Sequence, residues 1–120
     1  MKNYLVVTGG SGFIGSNLIK YLLKKTKYKI LSIDDYSSGN KINEIKNRRV
    51  NYIRGNTIKI EILLKKYKNK IKTIFHFGEF SRIYQSFENF SQCFNSNSIG
   101  SNAVFKYCLE NKIKLIYSAT

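Results

Sequence analysis

Apolar residues along this chain gather in short runs, separated by longer stretches in which they recur at every third or fourth position. The runs at 4–7, 30–33, 50–53, 74–77 and 115–117 predict five strands. Between them, helical spacing predicts a first helix from residue 12 to about 25 with Ile14, Leu18 and Leu22 on one face. It also predicts a short helix holding Ile42 and Ile45, another holding Ile60, Leu63, Leu64 and Tyr67, and a last one from about 88 to 111. Strands that alternate with helices are joined by crossovers, and crossovers make a parallel sheet. The expected architecture is α/β: a doubly wound parallel sheet of about five strands in the order 3-2-1-4-5, ending before any later strands. Its ligand crevice should lie at the carboxyl ends of the strands, beside the first.

Residues 8–15 read TGGSGFIG and sit between the first strand and the first helix. Glycines at 9, 12 and 15 in that setting make a Rossmann-type phosphate turn, which aims backbone N–H groups and the positive end of a helix at one point. Gly9 permits the tight turn, Gly12 lets a diphosphate approach the backbone, and Gly15 lets helix and strand pack closely. Phe13 and Ile14, in the first turn of that helix, are counted with the glycines as cofactor-binding residues. A Walker A loop is the rival, since GxxxxG can be read from Gly10. Ser16-Asn17 follow where that loop needs a lysine and then Ser or Thr.

The second strand ends in Asp34-Asp35, and Asp34 falls 19 residues after Gly15, where an acceptor for the adenosine ribose belongs. A carboxylate there repels a 2′-phosphate and favours NAD over NADP, although Lys41 is close in sequence and opposes this. The alternative is a turn-forming pair ahead of Tyr36-Ser37-Ser38-Gly39. On the last helix, Phe90, Phe94, Asn97, Ser101, Val104 and Cys108 share a face on which two residues are polar. A buried amide needs a partner. Asn97 therefore satisfies a neighbouring strand or reaches the cofactor crevice, and the polar strand ends favour the crevice.

Composition narrows the reading further. One domain fits in 120 residues. Strand character begins at residue 4 and no apolar run approaches a bilayer span, so no leader or membrane segment is expected and the default location is cytoplasmic. The net charge of +14 would ordinarily suggest nucleic acid. Yet Lys24, Lys25, Lys27, Lys29 and Lys65, Lys66, Lys68, Lys70, Lys72 surround apolar helix positions and read as solvated faces, so no specific nucleic-acid partner is expected. Cys93 and Cys108 lack CxxC spacing and read as reduced, packed thiols, with no metal site.

TGGSGFIG, IDDYSSG at 33–39, FHFGEFSR at 75–82 and NSIGS at 97–101 together resemble the extended short-chain dehydrogenase/reductases. Among these the chain is most similar to the NAD-dependent sugar-nucleotide epimerases and dehydratases, the UDP-glucose 4-epimerase group, over essentially all its length. The resemblance implies an NAD-binding domain and a nucleotide-sugar substrate recognised largely by a separate carboxyl-terminal domain. It gives Asp34 the adenosine ribose and Asn56 the adenine contact. Gly78 becomes a close approach to the cofactor, Ser81 a neighbour of the nicotinamide ribose, and Asn97 the asparagine of the last helix. Glu79 departs from the small residue usual there. His76 reads as a packed or hydrogen-bonded strand residue rather than a base.

Catalysis in the family uses a Ser or Thr just past strand five and a later Tyr-x-x-x-Lys pair, in which the lysine lowers the tyrosine pKa. Thr120 falls on the Ser/Thr position. Tyr21 with Lys25 fits the pair in spelling only, because it lies on the first helix. The expected role is the NAD-binding part of such an enzyme, with residues 1–120 forming an incomplete domain that does not turn over substrate alone. The alternative is a non-catalytic nucleotide-binding or interaction module, with a homodimer mate or other partner covering the strand-five edge.

Overall fold

Five short apolar stretches become the parallel strands β1 (Tyr4–Thr8), β2 (Lys29–Asp34), β3 (Val50–Arg54), β4 (Ile71–His76) and β5 (Lys114–Tyr117) in a computed structural model that describes residues 1–37, 39–77 and 99–117. Their spatial order is β3-β2-β1-β4-β5, the order expected from sequence. β4 begins three residues before the 74–77 run that predicted it. The reason is a register shift: Tyr4 pairs with Ile71 and Leu5 with Thr73, so Lys72 is an extra residue that breaks the two-residue alternation.

Alternation along the strands sends successive side chains to opposite faces and builds two apolar layers. Leu5, Val7 and Ile30 pack with Ile19 and Leu22 of helix α1 (Phe13–Lys25). Val6, Leu31, Ile33, Ile71 and Ile74 pack on the other face with Ile60 of helix α2 (Ile60–Leu63), with Leu64, and with Val104, Tyr107 and Cys108 of helix α3 (Ser101–Asn111). Cys108 is a core thiol, and burial pushes its pKa up to about 11, which keeps it protonated and unreactive. The lysines read as solvated faces, at 24, 25, 27, 29, 65, 66, 68, 70 and 72, are all exposed.

Two expected helices differ. The stretch with Ile60, Leu63, Leu64 and Tyr67 is three short pieces: 3₁₀ turns at Thr57–Lys59 and Lys65–Tyr67 flank the single turn of α2. Leu64 leaves helical geometry at φ −101°, ψ 13°, so that Ile60 and Leu64 both fill the core while Tyr67 meets the edge of Tyr4 at 5.0 Å. The stretch with Ile42 and Ile45 is one 3₁₀ turn, Lys41–Asn43, whose Ile42 is 85% exposed, while Ile45 packs against the α1 layer. Of the last helix, 101–111 is helical as expected, and residues 88–98 of it lie outside the described residues.

One long-range contact fixes α1 against the sheet. Arg49, just before β3, donates from its guanidinium to the carbonyls of Leu23 (2.5 Å), Thr26 (2.8 Å) and Tyr28 (3.1 Å). These sit at and just beyond the negative end of α1, where a cation is favourable. Arg49→Ala should lower stability by about 2 kcal/mol, the scale of charge-assisted hydrogen bonds lost from a partly buried site. Urea unfolding of the two proteins measures it, and an unchanged midpoint would contradict the role.

Candidate dinucleotide site

β1 delivers the chain to Gly9 at φ 71°, a left-handed conformation that favours glycine. The Gly9 N–H donates to the Ile33 carbonyl at 2.7 Å, and the Gly12 N–H returns to the Gly9 carbonyl at 3.1 Å, which closes the turn. α1 follows at once. Its N-cap is Gly12, with no side-chain capping bond and no acidic residue in the first turn. The first N–H groups of a helix have no intrahelical acceptor. At Phe13 and Ile14, whose side chains are 80% and 58% exposed, they are left for a ligand, and an anion is the ligand that the helix end favours.

The glycines are packed against the turn itself. A Cβ on Gly15 would lie 2.1 Å from the Gly9 carbonyl oxygen, and one on Gly10 would lie 1.9 Å from Ser32 Oγ. Gly12 has more room, with the Gly9 carbonyl oxygen 3.3 Å from its ideal Cβ. Gly15 thus packs the helix onto the turn, while Gly12 presents bare backbone. Gly10, given no role in the sequence reading, packs the turn onto β2.

Asp34 ends β2 beside this turn. Its Oδ2 accepts the Ser11 N–H at 3.0 Å and its Oδ1 accepts the Tyr36 N–H at 2.8 Å. A carboxylate offers about four acceptor positions, so capacity remains for two ribose hydroxyls. Burial pushes the Asp34 carboxyl above its ordinary value of 3.8, with the charges of Asp35 and Glu44 adding to the rise and the two N–H donors opposing it. Gly39 lies against it: a Cβ there would sit 2.6 Å from Oδ2.

Asp34, Asp35, Gly9, Gly55 and Asn56 line one crevice at the carboxyl ends of β1, β2 and β3. Asn56 is already engaged through its Oδ1, which accepts the Ile58 N–H at 3.0 Å and caps the following turn. Its second lone pair and its NH₂ group face no such restriction. The structure therefore brings Gly9, Gly12, Phe13, Ile14, Gly15, Asp34 and Asn56 to one end of the sheet. Gly78, Ser81, Asn97 and Thr120, and with them Glu79 and Cys93, lie outside the described residues.

His76 of β4 and Ser101 of α3 meet in the interior beside the end of β1. His76 is fully buried, with Nδ1 2.7 Å from Thr8 Oγ1 and Nε2 3.0 Å from Ser101 Oγ. The Phe77 N–H donates to Thr8 Oγ1 at 2.9 Å, and the His76 ring stacks on Tyr117 at 5.5 Å. This is the packed, hydrogen-bonded histidine expected from sequence. It also explains one polar position on the last helix face, because Ser101 satisfies a strand residue.

Residues 5–120 match the profile of the NAD dependent epimerase/dehydratase family. The chain belongs to that family. It is 31% identical over 123 residues to the dTDP-D-glucose 4,6-dehydratase of Dictyostelium discoideum, covering 97% of this chain and 28% of that protein. Among solved structures it is similar to the UDP-N-acetylglucosamine 4-epimerase of Methanobrevibacter ruminantium, in complex with UDP-N-acetylmuramic acid, at 28% identity and a TM-score of 0.83, over 100% of this chain and 39% of that one. It is likewise similar to the UDP-glucose 4-epimerase of Thermotoga maritima, solved with UDP-glucose, at 25% identity and a TM-score of 0.85, over 98% of this chain and 38% of that one. The chain thus spans less than two-fifths of each relative's length. NAD is the cofactor of this epimerase/dehydratase family, and the uncapped helix end, the bare Gly12 and the spare acceptor capacity of Asp34 fit its diphosphate and ribose. Among the described residues no cluster of side chains is suited to a metal ion, and no helix is long and apolar enough to cross a membrane.

Proposed function

We propose that this chain is the NAD-binding portion of a sugar-nucleotide epimerase or dehydratase, acting on a nucleotide-sugar. The observation that carries the reading is the Ser11 N–H bond to Asp34, which ties the phosphate turn to the ribose acceptor and sets the two at one crevice. Gly9, Gly12 and Gly15 with the N–H groups of Phe13 and Ile14 hold the diphosphate, Asp34 accepts the adenosine ribose hydroxyls, and Asn56 meets the adenine. Gly78, Ser81 and Asn97 are assigned to the nicotinamide side by their positions in the family pattern, and Thr120 to the Ser/Thr position near the reacting sugar.

Bound NAD supplies a hydride acceptor; the protein's part is to orient the dinucleotide and to move the sugar hydroxyl proton. The family assigns proton transfer to a Tyr-x-x-x-Lys pair, and these 120 residues hold that spelling only at Tyr21 and Lys25 on α1. Tyr21 points into solvent at 58% exposure. A polypeptide of these residues is therefore expected to bind NAD saturably, one per chain, and to leave UDP-sugars unchanged. Calorimetric titration with NAD and chromatography of incubated UDP-glucose test both halves. Absence of NAD binding overturns the cofactor reading, and appearance of the epimerised sugar overturns the assignment of proton transfer.

A further inference from the structure

Beyond Asp35, the loop after β2 carries a further carboxylate that reaches back to the phosphate turn. Glu44 follows the 3₁₀ turn Lys41–Asn43, and its Oε2 accepts hydrogen bonds from the Ser11 hydroxyl at 3.1 Å and from the Tyr36 hydroxyl. Ser11 therefore binds two carboxylates at once, Asp34 through its N–H and Glu44 through its side chain. The Ser11 carbonyl accepts from the Asn40 N–H at 3.0 Å and from Asn43 Nδ2 at 2.9 Å, so the whole loop is fastened to the middle of the phosphate turn.

Tyr36 links Glu44 to a cation. Its backbone sits at φ 64°, a left-handed conformation that tyrosine rarely adopts, held by its N–H on Asp34 and its hydroxyl on Glu44. The Arg54 guanidinium lies over its ring, 5.0 Å from the centroid. Arg54 pairs with Asp34 in the β2–β3 register, so it is the cation placed across the sheet from the ribose acceptor. A phosphate on the ribose hydroxyl would draw on that cation, and Arg is suited to bind one bidentately. Stacked on Tyr36, it is committed elsewhere.

We propose that Glu44 selects the dinucleotide: its carboxylate adds to the negative charge of Asp34 and Asp35 and anchors the Tyr36 ring that occupies Arg54, so the site refuses a phosphate on the adenosine ribose. The proposal rests on the NAD reading above. Glu44 acts in two ways, by repulsion and by keeping Arg54 from the incoming phosphate, and the two separate experimentally. Glu44→Gln keeps an acceptor for both hydroxyls and removes the charge. Glu44→Ala also frees Tyr36 and with it Arg54.

The experiment is titration of the full chain with NAD and NADP, read as the ratio of the two Kd values, with thermal melting to confirm that each variant is folded. The wild-type chain should favour NAD. That preference should fall about tenfold in Glu44→Gln, the scale of one nearby like charge, and about thirtyfold in Glu44→Ala. Adding Arg54→Ala to Glu44→Ala should restore about threefold of the preference, because the freed cation is gone. A ratio unchanged within twofold in Glu44→Gln overturns the selection, and this isosteric variant carries the test if Glu44→Ala does not fold. No recovery in the double variant overturns the Arg54 part. A wild-type chain that binds NAD and NADP alike overturns the selection and leaves the NAD reading standing, whereas one that binds neither removes the NAD reading itself.

Discussion

Gly15→Ala is expected to destabilise the chain by about 3 kcal/mol and to abolish the dinucleotide site, while Gly12→Ala keeps the fold and loses the dinucleotide. The difference lies in what each new methyl group meets. At Gly15 it falls 2.1 Å from the Gly9 carbonyl oxygen, 2.8 Å from the Gly9 carbonyl carbon and 2.9 Å from Gly10 Cα. All three are backbone atoms of the turn, none able to rotate aside, and the Gly9 carbonyl is also the acceptor for the Gly12 N–H. Relief requires α1 to move off the turn, which takes Ile19 and Leu22 out of the layer they share with Leu5, Val7 and Ile30. In a domain with about 5–15 kcal/mol in total, the loss takes a large share of the stability.

At Gly12 the methyl meets only the Gly9 carbonyl oxygen, at 3.3 Å, and φ is −81°, which alanine adopts freely. A shift of a few tenths of an ångström accommodates it, so stability should change by about 1 kcal/mol or less. In the proposed binding mode the methyl then stands where a diphosphate oxygen approaches the helix end, and NAD affinity should fall about a hundredfold. Urea unfolding and NAD titration on both variants check the pair. Equal losses of stability would show that Gly12 is as confined as Gly15, and unchanged NAD affinity in Gly12→Ala would remove it from the site.

These glycines were legible because their spacing and setting are local: a strand, TGGSGFIG and an amphipathic helix follow one another in sequence. Strand order was legible for a related reason, since alternating elements restrict a parallel sheet to few arrangements. Asp34 could be placed at the crevice by counting from Gly15. Contacts between distant segments were not legible. Arg49 beneath the end of α1, Ser101 on His76 and Glu44 on Ser11 join residues 26, 25 and 33 positions apart, and no periodicity marks them. Ile42 shows the opposite failure: its spacing from Ile45 suggested a helix, but the loop's bonds to Ser11 are made by Asn40, Asn43 and Glu44, and Ile42 is left facing solvent.

Asp34→Ala should weaken NAD binding about a hundredfold, and the wild-type carboxylate should make affinity and stability move in opposite directions with pH. The first effect follows from the loss of two charge-assisted bonds to ribose hydroxyls, at about 1.5 kcal/mol each. The second follows from burial, which raises the folded-state pKa of Asp34 above 3.8. Between 3.8 and that raised value the folded chain binds more proton than the unfolded one. The stability linked to Asp34 is therefore fully present below 3.8 and is lost as pH rises through the folded pKa. In the proposed binding mode NAD affinity runs the other way, because only an ionised carboxylate could accept from both ribose hydroxyls while still holding Ser11 and Tyr36. Lowering the pH from 7 should thus weaken NAD binding at a pH above 3.8, in the range where the Asp34 contribution to apo stability increases. The stability difference between wild type and Asp34→Ala, followed across pH without ligand, isolates that contribution from the other carboxylates. NAD titrations over the same range supply the opposing curve, and two curves falling together would show that the ribose is held by something other than the Asp34 carboxylate.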